Sequence, residues 1–217
     1  MKLRFYNAKI LTMRDEKVIE GELHTDNGAI SHIGEPKKGE FDREIDLGGS
    51  LIIPGFKNAH THTAMTFLRS FADDLPLNDW LYEQVFPHEA KLTEEAVYVF
   101  TQLGNMEYLT SGITASFDMY MKLPAYVKAC KDMGFRTVLC GSINDFGGTV
   151  EGIEEEYNTY NSYDPLISYQ LGFTRNTPQS VRYLRVWQSC LVNTKLRCTL
   201  TTARPKPKSR AAKSVTE

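Results

Sequence analysis

The chain has 217 residues, of which 41% are hydrophobic, with 25 Lys and Arg against 27 Asp and Glu. This is the profile of a soluble globular protein, long enough for one domain or one and a half. No apolar run is long enough to span a membrane, the first residues (Met1 to Phe5) form no signal-peptide core, and the four cysteines show no C-x-x-C spacing. A cytoplasmic location is therefore expected, with neither a disulfide framework nor a cysteine zinc site. The net charge of −2 hides an asymmetry: residues 174–217 carry ten basic side chains and one acidic one.

Phe5 to Met13 predicts a strand. Glu20 to Ile33 predicts a hairpin turning at Asp26-Asn27-Gly28, because Asn-Gly is the strongest short hairpin signal. Asp42 to Asp46 begins another strand, and Gly48-Gly49 leads on to Leu51. Residues 1–50 thus read as a small β-module. His24 and His32 fall within it, expected to be exposed and without a metal role.

Leu51-Ile52-Ile53 reads as a short buried strand, followed by a Pro54-Gly55 turn and then His60-Thr61-His62. Two residues apart on a strand share a face, so His60 and His62 can act as two ligands of one metal ion, typically zinc. An isolated pair of this kind is ordinarily just two histidines; its place after a turn at the end of a strand favours the metal.

Downstream, Ala64 to Phe71 predicts a short helix, and Asp73 to Asn78 a loop. Asp79 is placed to cap a helix stopped by Pro87. Thr93 caps a long helix with Glu94 and Glu95 in its first turn, ended by Gly112. Strands follow at Ile113–Tyr120, Thr137–Ser142 and Leu166–Phe173. Helices lie between them at Pro124–Met133 and Glu151–Tyr163, the latter with Glu154, Glu155 and Glu156 expected on a solvated face. Strands alternating with helices argue for parallel βαβ units. After Phe173 this rhythm is lost, and Thr174 to Glu217 is rich in Thr, Ser, Arg and Lys.

The run Pro54 to His62, then Met65-Thr66-Phe67-Leu68-Arg69, Ala72 to Leu77 and Trp80-Leu81, resembles the amidohydrolase superfamily. Within it the resemblance is to the S-adenosylhomocysteine/5′-methylthioadenosine deaminase and chlorohydrolase branch. The resemblance implies the first half of a (β/α)8 barrel over residues 51–173, preceded by a β-sandwich module that is partial in residues 1–50, with chemistry at the C-terminal strand ends. It implies zinc as cofactor, His60 and His62 as metal ligands, Trp80 near the substrate base and Glu89 on the ribose hydroxyls. The bland readings are a core aromatic for Trp80 and a solvated loop carboxylate for Glu89. His88 reads as a loop residue and Arg69 as a structural ion-pair residue; Asp118, at the end of a strand, could face the site but is more often a residue behind it or a structural one, and is given no site role.

The activity implied for the parent family is hydrolytic deamination of adenosine-like nucleosides. Its third metal histidine and its proton-shuttle glutamate have no match here, so the chain is expected to be an inactive fragment with no residue assigned to catalysis. Read one base upstream, the codons for Thr174–Gln179 and Arg197–Lys206 become compatible with the family's next two strand ends. The lost histidine and glutamate would then fall where Thr201 and Arg204 stand. Residues 174–217 are accordingly expected to be an irregular, disordered or out-of-frame tail, and its charge is not taken as a nucleic-acid arm. The competing readings are a related metal-dependent hydrolase (guanine deaminase or chlorohydrolase type) and a non-enzymatic product with a genuine basic tail.

Overall fold

The computed structural model describes residues 1–143, 149–175 and 198–202. The chain divides into two compact units, Met1–Phe56 and Lys57–Glu217.

The first unit is a five-stranded sheet organised on β1 (Lys2–Leu11). β2 (Val18–Asp26) pairs with β1 antiparallel, and β3 (Ala29–Gly34) pairs antiparallel with β2. The β2–β3 turn is Asn27-Gly28, with φ of 48° and 83°. Both residues sit in the left-handed region that a tight two-residue hairpin turn demands. β4 (Arg43–Asp46) and β5 (Leu51–Ile52) both run parallel to β1. The β1–β2 register shifts between Phe5 and Ala8, where Asn7 takes φ 54°, as a β-bulge requires. Ala8, Ile10 and Leu23 form the buried centre, with Phe5, Ile19, Ile33, Leu47 and Ile52 against it.

Two expectations are corrected here. Leu51–Ile53 is not the buried first strand of the βα series: Leu51 and Ile52 pair with Lys9 and Ile10, and Leu51 and Ile53 are exposed. A three-residue apolar run has no period that tells a core strand from an edge strand. His24 is not exposed but buried, because its imidazole Nε2 meets Glu22 Oε2 at 2.9 Å and its ring packs on His32 and Phe41.

The second sheet has the order β10-β9-β8-β7-β6. Its strands are β6 (Phe56–Thr61), β7 (Ile113–Asp118), β8 (Arg136–Ile143), β9 (Ile167–Arg175) and β10 (Cys198–Thr202). The β7–β8, β8–β9 and β9–β10 pairs are parallel. After β6 come a 3-10 turn at Thr63–Leu68 and a helical run from Leu77 to Glu89. The long helix α3 (Glu94–Thr110) then leads into β7. α4 (Leu123–Asp132) and α5 (Val150–Tyr160) follow β7 and β8. Thr93 caps α3 through Ala96 N–H at 3.1 Å, and Gly112 beyond its end takes φ 76°. Thr149 caps α5 through Gly152 N–H at 3.0 Å. Val97, Tyr126, Val127, Cys130, Phe135, Leu139, Ile153, Ile167 and Tyr169 share one core; each large apolar side chain buried there contributes about 1.5–3 kcal/mol.

The helical run from Leu77 does not end before Pro87. It consists of α1 (Leu77–Asp79), a π-helical turn Trp80–Val85 and α2 (Phe86–Glu89), with Pro87 in the first turn of α2. Proline cannot donate to the residue four back and its ring presses on that carbonyl. The wide turn, in which Phe86 N–H reaches Leu81 O, absorbs the conflict. Glu156 departs from the solvated face, since its carboxylate accepts the Tyr169 hydroxyl.

The tail expected to be irregular contains strand where it is described. β9 continues to Arg175, and β10 lies parallel to it with Cys198 opposite Leu171 and Thr202 opposite Arg175. Cys-Thr-Leu-Thr-Thr is rich in residues that favour a pleated backbone. The remainder of that expectation, over 176–197 and 203–217, lies outside the described residues.

Candidate functional site

His60 is the penultimate residue of β6, and His62 follows the strand. Their ring centroids are 5.3 Å apart at an interplanar angle of 80°. The His62 Nδ1–H donates to the Met119 carbonyl at 2.7 Å. That bond fixes the tautomer and leaves Nε2 with its lone pair free, as a metal-donor imidazole requires. The residues thus fit two positions of a metal site. Among the described residues no group of three or more His, Cys, Asp or Glu side chains is placed to hold a metal.

The strand end is held from β7. Met119 N–H donates to Thr61 O at 3.4 Å. The Thr63 backbone N–H donates to Asp118 Oδ2 at 3.0 Å, and the hydroxyls of Thr63 and Tyr126 donate to the same oxygen. Asp118 is fully buried, and burial raises its carboxyl above the usual range against those three hydrogen bonds.

His62 opens on a cavity of about 530 Å³. Trp80 and Glu89 line it from the two ends of the π-turn and α2, along with Met65, Leu77, Leu81, Val85, Phe86, Met119, Tyr120 and Leu123. Trp80 is half-buried, and Glu89 is buried rather than on a solvated loop. Burial pushes the Glu89 carboxyl upward, and the Tyr120 hydroxyl beside it pulls it back. The Tyr120 phenol is itself raised by burial and by that carboxylate. The result is an apolar pocket with an imidazole pair at one edge and one buried carboxylate, the usual make-up of a small-molecule site.

Three of the four sequence-assigned residues, His62, Trp80 and Glu89, line this cavity, and His60 stands beside His62. His88 is outside the lining: its Nδ1 bonds Gln84 O at 2.6 Å and its ring packs on Phe71. Arg69 pairs with Glu107 at 2.6 Å on the surface. Sequence reading gave no role to Tyr120 or to the Met119 carbonyl, because a backbone acceptor carries no sequence signal and one tyrosine after a strand looks like any other.

A family model for the amidohydrolase family matches residues 51–170. The chain is 41% identical over 142 residues to the 5′-deoxyadenosine deaminase of Methanobrevibacter smithii, covering 65% of this chain and 33% of that protein. It is 43% identical over 145 residues to the 5-methylthioadenosine/S-adenosylhomocysteine deaminase of Caldicellulosiruptor saccharolyticus, covering 64% and 34%. The chain therefore spans about a third of the length of these curated relatives. Among solved structures it superposes on an adenosine deaminase from Xanthomonas campestris with bound zinc, with a TM-score of 0.75 at 24% identity over 91% of this chain and 48% of that one. An atrazine chlorohydrolase from Arthrobacter aurescens complexed with zinc gives a TM-score of 0.75 at 18% identity, over 91% and 52%. These likenesses show the fold, that of part of a barrel of the (β/α)8 type. With the family match extending over more than half its length, the chain belongs to the amidohydrolase family.

Proposed function

We propose that the second unit carries the metal-donor pair and the nucleoside pocket of a hydrolytic deaminase acting on adenosine-like nucleosides such as 5′-methylthioadenosine or S-adenosylhomocysteine. The observation that carries this reading is the oriented His60–His62 pair at the edge of a cavity lined by Trp80 and Glu89. The names of the curated relatives supply the substrate class.

Each residue has a part that follows from its chemistry. His60 and His62 would hold zinc, His62 through Nε2. Zinc bound there with its remaining ligands would supply an activated water at neutral pH. Trp80 offers an aromatic face to the purine. The Glu89 carboxyl accepts hydrogen bonds from the ribose hydroxyls, and its burial makes an unpaired sugar hydroxyl or an absent one costly. Met65, Leu81, Val85 and Met119 give the pocket an apolar wall that suits a thioether substituent. Catalytic zinc takes three protein ligands and one open position, and the described residues supply two. The 217-residue chain is therefore expected to bind nucleoside without turning it over.

The test is methylthioadenosine titrated into the purified chain with tryptophan fluorescence as the signal. Saturable quenching is expected, abolished by Trp80→Phe and weakened about tenfold by Glu89→Gln, in line with losing a hydrogen-bond acceptor. Absence of binding would overturn the substrate assignment. Zinc-dependent release of ammonia would overturn the incompleteness of the metal set.

A further inference from the structure

We propose that Asp118 is a positioning residue whose hydrogen bonds to Thr63 set the aim of the His62 imidazole; the claim rests on the reading of His62 as a metal donor. Sequence reading left open whether this aspartate supports the site from behind or is merely structural, and it is not among the residues that line the pocket.

The geometry is a clamp. Two consecutive residues at the end of β7, Asp118 and Met119, grip three consecutive residues at the end of β6. Met119 N–H holds Thr61 O, and Met119 O takes the His62 Nδ1–H at 2.7 Å. Asp118 Oδ2 takes both the backbone N–H and the hydroxyl of Thr63. His62 is thus fixed through its own ring on one side and through the next residue on the other. The carboxylate rotamer is set in turn by the Tyr126 hydroxyl, which donates to the same oxygen from α4. Asp118 is 0% exposed, so these bonds form without competition from bulk solvent. Its second oxygen, Oδ1, is buried without a hydrogen-bond partner among the described residues. The Thr63 N–H, the Thr63 hydroxyl and the Tyr126 hydroxyl thus all converge on the one oxygen, Oδ2. Metal-ligating histidines depend on such outer groups for tautomer and aim, and losing one costs about 10–100-fold in metal affinity.

The experiment uses the full chain labelled with nitrogen-15 at histidine, read by long-range nitrogen–proton correlation and by Co2+ titration. In the wild type His62 is expected to show a locked Nδ1–H tautomer. In Asp118→Ala it should collapse to an exchanging mixture, with Co2+ bound about tenfold more weakly. Asp118→Asn retains an acceptor oxygen for the Thr63 donors and should keep the locked tautomer, with affinity within about twofold of wild type. Thr63→Val keeps the shape and removes one donor, so it should loosen His62 partly; this variant decides the matter if Asp118→Ala does not fold. A merely structural aspartate would lower the melting temperature and leave both the tautomer and the Co2+ affinity unchanged, and that result overturns the proposal. Should the wild type bind no Co2+, the metal reading fails, while the tautomer comparison still decides whether Asp118 aims the ring.

Discussion

Glu22 is a carboxylate buried in a small sheet, and its charge is tolerable only because of what surrounds it. The Arg4 guanidinium pairs with it and with Glu44 at 2.6 Å. His24 Nε2 lies at 2.9 Å, and the Lys37 backbone N–H donates at 3.4 Å. The Arg4 hydrogen bond is the largest influence, holding the Glu22 pKa down to about 2 against an ordinary value of 4.5, with burial opposing it. A carboxyl whose folded pKa is depressed contributes stability that is fully present above its unfolded pKa and disappears as the proton is forced on. The contribution should be intact above about pH 4.5 and fade between there and about pH 2. Thermal melts across that window should show Glu22→Gln destabilised near neutrality and distinctly flatter in acid than wild type. Parallel acid limbs for the two proteins would remove Glu22 from any account of acid stability. Surface pairs such as Lys128–Asp132, both well exposed, should be nearly silent in the same experiment.

At the scale of elements, the strand end that bears the histidines is wedged against α3. Gly104 on that helix faces Thr63: a Cβ there would stand 2.5 Å from the Thr63 methyl and 3.0 Å from its carbonyl oxygen. Thr66 adds a hydrogen bond to Phe100 O at 2.9 Å. Only a glycine lets the helix come this close. In an open helix, Gly→Ala would stabilise by about 1 kcal/mol. Here overpacking against a residue already tied to Asp118 should dominate, with a net loss of about 1–3 kcal/mol. Urea unfolding of Gly104→Ala measures it, and a gain in midpoint would show that the 3-10 turn yields freely. Neither this contact nor the clamp on Thr63 is legible in the sequence, because each joins residues about 40 or more apart through atoms that carry no motif. What could be read was local and stereochemical. Thr93 before two glutamates gives a capped helix, Gly112 its left-handed exit, and Asn27-Gly28 the hairpin. The spacing of His60 and His62 gives two rings 5.3 Å apart. Where tertiary pairing decides, the reading went astray: Leu51–Ile52 joined the first sheet, His24 was drawn inward by Glu22, and Pro87 was carried inside a helical run by a π-turn.

Charge is the property that belongs to the whole chain. Residues 1–173 carry 15 basic against 26 acidic side chains and residues 174–217 carry ten against one, so a net charge of −2 joins a segment at −11 to one at +9. A near-zero total does not keep copies apart, and segments of opposite sign attract between molecules. The sequence pI is about 6.2, close to working pH. Exposed apolar side chains are a rival cause of association, since Phe56, Leu77 and Tyr82 are each more than half exposed. The two causes respond to salt in opposite directions. Attraction between charges is felt over about 30 Å at about 0.01 M ionic strength and over only about 3 Å at about 1 M. Apolar association is unaffected or strengthened by salt. Light scattering on the full chain near pH 6.2 should therefore show association at low salt that dissolves as NaCl is added. Replacing Lys206, Lys208, Arg210 and Lys213 with Gln should reduce it without salt, because the substitutions weaken the positive segment and move the total away from zero. Association that persists or grows in about 1 M NaCl would assign it to the apolar surface instead, and the four substitutions would then leave it unchanged.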